Sequence, residues 1–353
     1  MALLDVLDLP QLYTKPSAET LLDTLSLLTS APPSWEPSDH EDQSDGERTP
    51  DRRRIARSRA PPINPEGVTR YLTNIVSSSL RWIPEEEMKE EIWIQASARL
   101  SERAGRTGMG ALSRTFRIPS PNGQFELSIH EPALTGDDLG LKTWAASYML
   151  AKRLHRFDFL RPEGNSKLSV LELGSGTGLV GLAMAALGAD VVLTDLPSIY
   201  TNLARNARDN SDVIRQGKGS ARCGVLDWTE PSICRLLPEG SDVNDEGCPL
   251  NTKFPVILAA DSLYSPEHPR WLVHTVSEWL SPDPEAKVIV EFPLRDAYLP
   301  EVKDFRERMA GIGLQIVKEG EERGYDDWGS ANQDDSDAGL VRCWWSCWGR
   351  KSA

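Results

Sequence analysis

The hydrophobic pattern beyond residue 136 alternates between the strand period and the helix period. Short apolar runs rich in β-branched residues are typical of strands buried on both faces, and longer segments with apolar residues every three or four positions are typical of helices. The strand-like runs are KLSVLEL, DVVLTDL, GVLDW, FPVILAAD, AKVIVEF, GLQIVKEG and LVRCWWSCWGR. The helix-like segments between them are KTWAASYMLAKRL, GLVGLAMAAL, SIYTNLARNARDN, HPRWLVHTVSEWL and VKDFRERMAGIG. This order predicts an α/β fold with a mostly parallel, doubly wound sheet.

The chain before residue 136 divides into three parts. Residues 1–33 contain the leucine-spaced run AETLLDTLSLL and predict a helical segment. Residues 34–65 are rich in proline, serine and charge, so we expect a disordered linker, and we interpret its arginines as solvated rather than ligand-binding. Residues 66–135 predict two helices, the second with Pro84 at its first helical position, followed by a β-hairpin. The main domain is then predicted to span 136–353.

The hairpin prediction rests on a turn signal between two alternating runs. Asn122-Gly123 stands between Arg114–Ile118 and Phe125–Ile129. Asn-Gly is favoured at the two central positions of tight hairpin turns, because both residues tolerate positive φ. We therefore place the turn at these two residues.

A glycine-rich turn joins the first strand of the main domain to its next helix. The segment VLELGSGTGLVGLAMA reads strand, turn, helix, and Asp195 ends the next strand about 20 residues later. In doubly wound folds a carboxylate at that position binds ribose hydroxyls. The spacing of Gly176, Gly178 and Gly181 also matches the dinucleotide-binding pattern G-x-G-x-x-G, so a dehydrogenase is an alternative function. The P-loop is excluded, because Gly-Lys-Ser/Thr does not follow.

Glu172, two residues before Gly174, distinguishes between these cofactors. A carboxylate there is expected to repel the pyrophosphate of a dinucleotide, whereas S-adenosylmethionine has no phosphate and carries an ammonium and a sulfonium. The charge argument therefore favours a methyltransferase over a dehydrogenase.

Two further strands end in residues suited to this chemistry. In LDW, Asp227 can accept a hydrogen bond from an adenine amino group while Trp228 covers the ring, although an exposed Asp beside a core Trp is the alternative. In AADSLY, Asp261 and Tyr264 are expected at the carboxyl edge of the sheet, where transfer would occur. The alternative for Asp261 is a helix cap.

Composition narrows the class of partner. The formal net charge of -14 argues against binding nucleic acid through its phosphates and favours basic partners. The five cysteines contain no Cys-x-x-Cys pair, so we expect reduced thiols and no metal site. The N-terminus is acidic where a secretory signal would be basic, and no apolar run is long enough for a membrane span. We expect a cytoplasmic monomer, with the nucleus as the alternative location.

With these residues assembled, the chain from about Leu139 to Cys347 resembles the type-16 (METTL21-like) family of seven-strand S-adenosylmethionine-dependent protein-lysine methyltransferases. The resemblance rests on GLKTWAASYMLAKRL, VLELGSGTGLVGL, VLTDLP, LDW and AADSLY, which follow the family order. It implies a Rossmann-like seven-strand fold with an N-terminal extension, S-adenosylmethionine as cofactor, and a protein lysine as substrate. The long extension is similar to that of fungal members that methylate translation elongation factor 2.

The resemblance also implies roles for individual residues. Trp144 would lie on the cofactor, Ala260 would contact it through the backbone, and Asp261 and Tyr264 would form the catalytic D-x-x-Y motif at the substrate lysine. Together with the residues argued above, the candidate cofactor-binding set is Trp144, Glu172, Gly174, Ser175, Gly176, Gly178, Asp195, Leu196, Asp227, Trp228 and Ala260.

Three other functions stay open at this point. A small-molecule N-methyltransferase acting on a nicotinamide-like ring would have the same cofactor half, and a methyltransferase fold can serve as a non-catalytic scaffold. A nucleic-acid methyltransferase is disfavoured by the charge. The sequence shows no dedicated general base, and we place His268 at the start of a helix.

Overall fold

The computed structural model describes residues 6–28, 67–103, 110–133, 139–160, 167–238, 240, 247–325 and 340–351. They belong to two compact units, one up to Gly110 and one from Ala111 onward. The linker predicted at 34–65 lies outside the described residues. The division falls before the hairpin rather than at residue 136, because the hairpin packs on helices of the second unit.

In the residues that the structure describes, the first unit contains three α-helices around their own apolar core. These are α1 (Ala18–Leu27), α2 (Val68–Ser77) and α3 (Glu86–Arg103). Ser17 caps α1 by accepting a hydrogen bond from the backbone N–H of Thr20. Helix α3 begins two residues later than predicted, since Glu85 provides the first accepting carbonyl, to Lys89. Leucines and isoleucines from all three helices are fully buried in this core.

The second unit opens with the predicted hairpin, shifted by one residue. Strands β1 (Leu112–Ser120) and β2 (Gly123–Glu131) are antiparallel, and Ser120 faces Gly123. The two-residue turn is therefore Pro121 and Asn122, while Gly123, at φ +136°, begins the return strand. Glycine tolerates this φ without steric cost, which is why the turn can close before it.

The main sheet contains nine strands among the described residues. In chain order they are β3 (Ser169–Leu173), β4 (Asp190–Asp195), β5 (Ser220–Leu226), β6 (Cys234–Leu236), β7 (Cys248–Pro249), β8 (Val256–Ala260), β9 (Lys287–Pro293), β10 (Leu314–Tyr325) and β11 (Leu340–Arg350). Their spatial order is β10-β11-β9-β8-β3-β4-β5-β6-β7. The seven predicted strands are all present, and strands β9, β8, β3, β4 and β5 are parallel. Two short antiparallel strands, β6 and β7, extend the sheet beyond β5.

Helices cover both faces of this sheet. They are α4 (Ala145–Arg153), α5 (Leu179–Ala186), α6 (Pro197–Asp209), α7 (Ser211–Gln216), α8 (His268–Trp279) and α9 (Leu299–Gly311). Alternate strand residues point to opposite faces. Leu171 and Leu173 pack in a core cluster with α8 and α9, whereas Glu172 points to the face that carries α5. The fold is thus the predicted α/β type, and the carboxyl ends of β3, β4, β5 and β8 meet at one edge.

No helix among the described residues combines the length and the apolar composition that crossing a bilayer would require.

Phe305 tests the core on the α8 and α9 face. Its side chain is fully buried, and its ring lies 5.2 Å from that of Phe292 and 6.0 Å from that of Trp348. We expect Phe305→Ala to lower the free energy of unfolding by about 3–5 kcal/mol, because it leaves a cavity. Urea unfolding followed by tryptophan fluorescence measures this. Val317→Ala, at an exposed position, is the control; a similar small loss for both variants would contradict the assignment.

Candidate active site

A cavity of about 520 Å³ lies at the carboxyl edge of the sheet. This is the size of a small-molecule site, and the position is where doubly wound folds bind ligands. The predicted site residues that line it are Trp144, Gly174, Ser175, Gly176, Asp195, Leu196, Asp227, Trp228, Ala260, Asp261 and Tyr264. Glu172 and Gly178 are not among the residues at its wall. The structure therefore brings the predicted cofactor and transfer residues to one place.

The glycine loop at 174–178 follows a path that only glycine takes without strain. Gly174 has φ +65° and Gly176 has φ +55°. A Cβ on Gly174 would lie 2.9 Å from the Trp228 ring, and one on Gly176 would lie 3.0 Å from the carbonyl oxygen of Gly140. Both distances are too short, so the loop needs glycine for space as well as for conformation. The backbone of the loop is thereby exposed directly to the cavity.

Asp195 fastens this loop to the end of β4. Its Oδ2 accepts a hydrogen bond from Gly176 N at 2.7 Å, and its Oδ1 accepts one from Leu196 N at 2.7 Å. Burial raises the pKa of Asp195 to about 6, and the two N–H donors limit that rise. The group is therefore mainly ionised at neutral pH. Each carboxylate oxygen retains acceptor capacity, which suits a pair of ribose hydroxyls.

Glu172 has a different role from the one expected. It is buried beneath the loop, where its Oε2 accepts a hydrogen bond from Gly181 N at 3.1 Å. Burial raises its pKa to about 8, with Asp195 adding to the rise and hydrogen bonds from Ser175 and Gly181 opposing it. Glu172 is then mainly protonated at neutral pH, so the argument from charge repulsion is wrong.

The preference for a cofactor without phosphate has another physical basis. Gly181 lies in the first turn of α5, where free N–H groups and the helix dipole would bind a pyrophosphate. The Glu172 carboxyl already occupies one of these donors. Gly178, at φ +91°, caps α5 and is packed against leucines, Leu203 among them, instead of the cavity.

Asp227 and Trp228 form the wall beyond β5. Asp227 Oδ1 accepts hydrogen bonds from Thr229 N at 2.8 Å and from Thr229 Oγ1 at 2.7 Å, which fixes an Asx turn. The Trp228 ring lies against Gly174. Both side chains line the cavity, so an aromatic ring and a carboxylate are available there for an adenine ring and its amino group.

Asp261 and Tyr264 stand where β8 ends. Asp261 has φ +53°, and its N–H donates to the carbonyl oxygen of Glu291 at 2.9 Å. This left-handed turn, which Asp tolerates better than most residues, brings the chain to the cavity. Burial, together with the carboxylates of Asp195 and Asp261, raises the pKa of Tyr264 above its ordinary value. The Tyr264 phenol is therefore neutral and able to donate a hydrogen bond.

His268 begins α8 as expected, but it also lines the cavity, which the sequence did not show. Its Nδ1 donates to the carbonyl oxygen of Ser262 at 3.0 Å, and its ring lies edge-on to Tyr264 at 4.3 Å. Burial lowers the pKa of His268, so the ring is neutral near pH 7. It packs between Trp228 and Trp271 and supports the Tyr264 side of the cavity.

Two cations near Trp144 were also missed. Lys142 Nζ lies 4.5 Å from the centre of the Trp144 ring, and the Arg295 guanidinium lies 5.2 Å from it. Both side chains line the cavity. For Lys142, the one sequence signal nearby was the motif that contains Trp144. Arg295 follows β9 and belongs to no motif.

The cavity fits S-adenosylmethionine on these observations. It has a glycine loop without room for side chains at Gly174 and Gly176, a carboxylate for ribose hydroxyls, an aromatic wall for adenine, and a helix N-terminus with one donor already used by Glu172.

Comparisons with known proteins agree with this reading. A family model described as lysine methyltransferase matches residues 122–298, about half of the chain. The chain is 30% identical to the protein-lysine N-methyltransferase rrg1 of Schizosaccharomyces pombe, over 98% of each protein. It is 34% identical to the protein-lysine N-methyltransferase EFM2 of Saccharomyces cerevisiae, over 69% of this chain and 58% of that relative. It is 30% identical to the protein N-lysine methyltransferase METTL21A of Danio rerio, over 47% of this chain and 69% of that relative.

Glu172→Gln tests the burial of a protonated carboxyl beneath the loop. The folded-state pKa of about 8 exceeds the ordinary 4.5, so Glu172 contributes stability that is fully present below pH 4.5 and is lost as the pH rises through 8. Glutamine does not ionise. We expect the free energy of unfolding of the variant, relative to wild type, to rise by roughly 2–4 kcal/mol between about pH 5 and pH 8.

Urea unfolding at several pH values measures this difference. Glu126→Gln, on the exposed face of the hairpin, is the matched control and should show no such trend. A difference for Glu172→Gln that stays constant over this pH range would contradict the assignment.

Proposed function

Because this chain belongs to the lysine methyltransferase family, we propose that its cavity transfers a methyl group from S-adenosylmethionine to the side-chain amine of a protein lysine. The observation that carries the proposal is that Asp261 and Tyr264 share one cavity with the glycine loop and Asp195. The enzyme is a protein-lysine N-methyltransferase.

The cofactor half of the cavity is formed by β3, β4 and β5. When bound, S-adenosylmethionine supplies a methyl group on a positively charged sulfur. Asp195 would accept hydrogen bonds from the ribose hydroxyls, and Asp227 from the adenine amino group. Trp228 and Trp144 provide aromatic surface, and the loop glycines let the backbone approach closely.

The acceptor half is formed by the end of β8 and the start of α8. The pKa of a lysine side chain is about 10.4 in water, so the amine is protonated near neutral pH. It must lose a proton before it can attack carbon. Asp261 and the neutral Tyr264 phenol would hold the incoming ammonium and orient the lone pair once the proton has passed to water. His268 supports the Tyr264 ring from its edge.

Paired substitutions separate the two halves. Asp261→Asn retains a residue that tolerates positive φ but removes the charge that holds the ammonium, so we expect transfer to fall by about two orders of magnitude. Affinity for S-adenosylhomocysteine should stay within about threefold, since Asp261 acts on the acceptor. Asp195→Asn should instead weaken cofactor binding at least about tenfold, because hydrogen bonds to a charged acceptor are lost.

Calorimetric titration with S-adenosylhomocysteine and a methyl-transfer assay provide the two readouts. Loss of cofactor binding in Asp261→Asn would remove its proposed role at the acceptor. Unchanged cofactor affinity in Asp195→Asn would remove the ribose assignment.

The finer proposal is that the substrate is translation elongation factor 2. It is supported by the similarity of the long N-terminal extension to that of fungal members with this substrate, and by the net charge of -14, which favours a basic partner surface.

An assay with isotope-labelled S-adenosylmethionine and lysate from cells lacking the protein tests the acceptor. We expect a protease-sensitive, nuclease-resistant band of the size of elongation factor 2, absent with Asp261→Asn. A protein band elsewhere would retain lysine methylation and discard this substrate. Label confined to small molecules would point to a metabolite N-methyltransferase, and cofactor binding without any transfer would point to a scaffold.

A further inference from the structure

Two asparagines of α6, and a third that caps its C-terminal end, bind the outer edge of the hairpin. Asn202, Asn206 and Asn210 follow one another at intervals of four residues, so they lie along one face of the helix. Strand β2 pairs with β1 on one side, and no strand pairs with its other edge among the described residues. An amide side chain has the donor and the acceptor of a peptide group, so it can stand in for a neighbouring strand.

The hydrogen bonds follow this arrangement closely. Asn210 Oδ1 accepts from Ser128 N at 2.9 Å, and its Nδ2 donates to Ser128 O at 2.8 Å. Asn206 Oδ1 accepts from His130 N at 2.8 Å, and its Nδ2 donates to His130 O at 3.0 Å. Asn202 Nδ2 donates to the same carbonyl oxygen at 3.0 Å. Asn206 and Asn210 therefore each make two equivalent hydrogen bonds to the backbone of β2.

Asn206 differs from Asn210 in its remaining hydrogen bond. Its Nδ2 also donates to the carbonyl oxygen of Thr177 at 2.9 Å, within the glycine loop. The corresponding donor of Asn210 goes to the carbonyl oxygen of Asn206 in the helix itself. Asn206 is completely buried, and both of its donor hydrogens are used. One side chain thus connects the hairpin edge to the loop at the cavity.

A second connection reaches the same loop residue from the end of β2. Glu131 Oε1 accepts a hydrogen bond from Thr143 N at 3.0 Å, and Thr143 Oγ1 lies 2.8 Å from Thr177 Oγ1. All three side chains are buried. Thr143 directly precedes Trp144, which lines the cavity. Thr177 is therefore held at its carbonyl by Asn206 and at its hydroxyl by Thr143, and both lead back to β2.

We propose that Asn206 and Thr143 are positioning residues for the cofactor, and that the hairpin acts through both of them to hold the glycine loop in its binding conformation. The proposal rests on the assignment of this cavity to S-adenosylmethionine. Without Asn206, the buried carbonyl of Thr177 loses its donor, and the loop adopts other conformations for part of the time. The apparent dissociation constant rises in proportion, because it equals the intrinsic value divided by the competent fraction.

Asn206→Ala and Asn210→Ala form a matched pair for the test. Each variant removes two hydrogen bonds to the backbone of β2, so both should lose similar stability in urea. We expect Asn206→Ala to weaken S-adenosylhomocysteine binding at least about fivefold by calorimetry, while Asn210→Ala stays within about twofold. In the transfer assay, Asn206→Ala should raise KM for the cofactor and leave kcat at saturation within about threefold.

Equal effects of both variants on binding, in step with their stability, would overturn the proposal and leave Asn206 a structural role only. A wild-type protein that binds no S-adenosylhomocysteine would instead overturn the cofactor assignment.

If Asn206→Ala does not fold, Thr143→Val decides the question. It keeps the backbone N–H to Glu131 and the side-chain shape but removes the hydroxyl contact with Thr177. We expect it to weaken binding about threefold or more, and unchanged binding would refute the proposal.

Discussion

The hydrogen bond from Gly176 N to Asp195 Oδ2 is the interaction on which the rest of the site depends. It joins the loop after β3 to the end of β4, at the carboxyl edge of the sheet, where doubly wound folds bind ligands. The loop can reach Asp195 because its glycines adopt positive φ, and the same path leaves space for the Trp228 ring and the Gly140 carbonyl. A side chain at Gly174 or Gly176 would move the loop away from Asp195 and would change the shape of the cavity.

The sequence predicted this part of the fold well because its signals are local. Neighbouring residues are enough to predict the strand, the glycine turn, the helix and the carboxylate that ends the next strand. The topology of a parallel sheet then brings the carboxyl ends of its strands to one edge. The charge state of Glu172 could not be read in this way. Strand alternation places it on the face opposite Leu171, against α5, and the burial that raises its pKa arises from packing. The same preference for a phosphate-free cofactor follows, but through hydrogen bonding rather than through repulsion.

The residues that sequence reasoning missed are those whose partners lie far away in the chain. On a helical pattern, Asn202, Asn206 and Asn210 are typical of an exposed polar face, yet the last two are almost completely buried against a strand more than 70 residues earlier. Arg295 approaches Trp144 from a segment that lies far along the chain and belongs to no motif. Polar groups are buried only when their hydrogen bonds are satisfied, and only the tertiary structure shows which backbone edge satisfies them.

The two halves of the cavity are supported by different parts of the chain, and they meet where His268 packs against Trp228. The cofactor loop is held by β4, by α6 and, through Asn206 and Thr143, by the hairpin. Asp261, in contrast, is fixed by its backbone N–H to Glu291 on β9, on the other side of β3. The hairpin precedes the sheet in the chain, but its contacts through Asn206 and Thr143 assign it to cofactor binding.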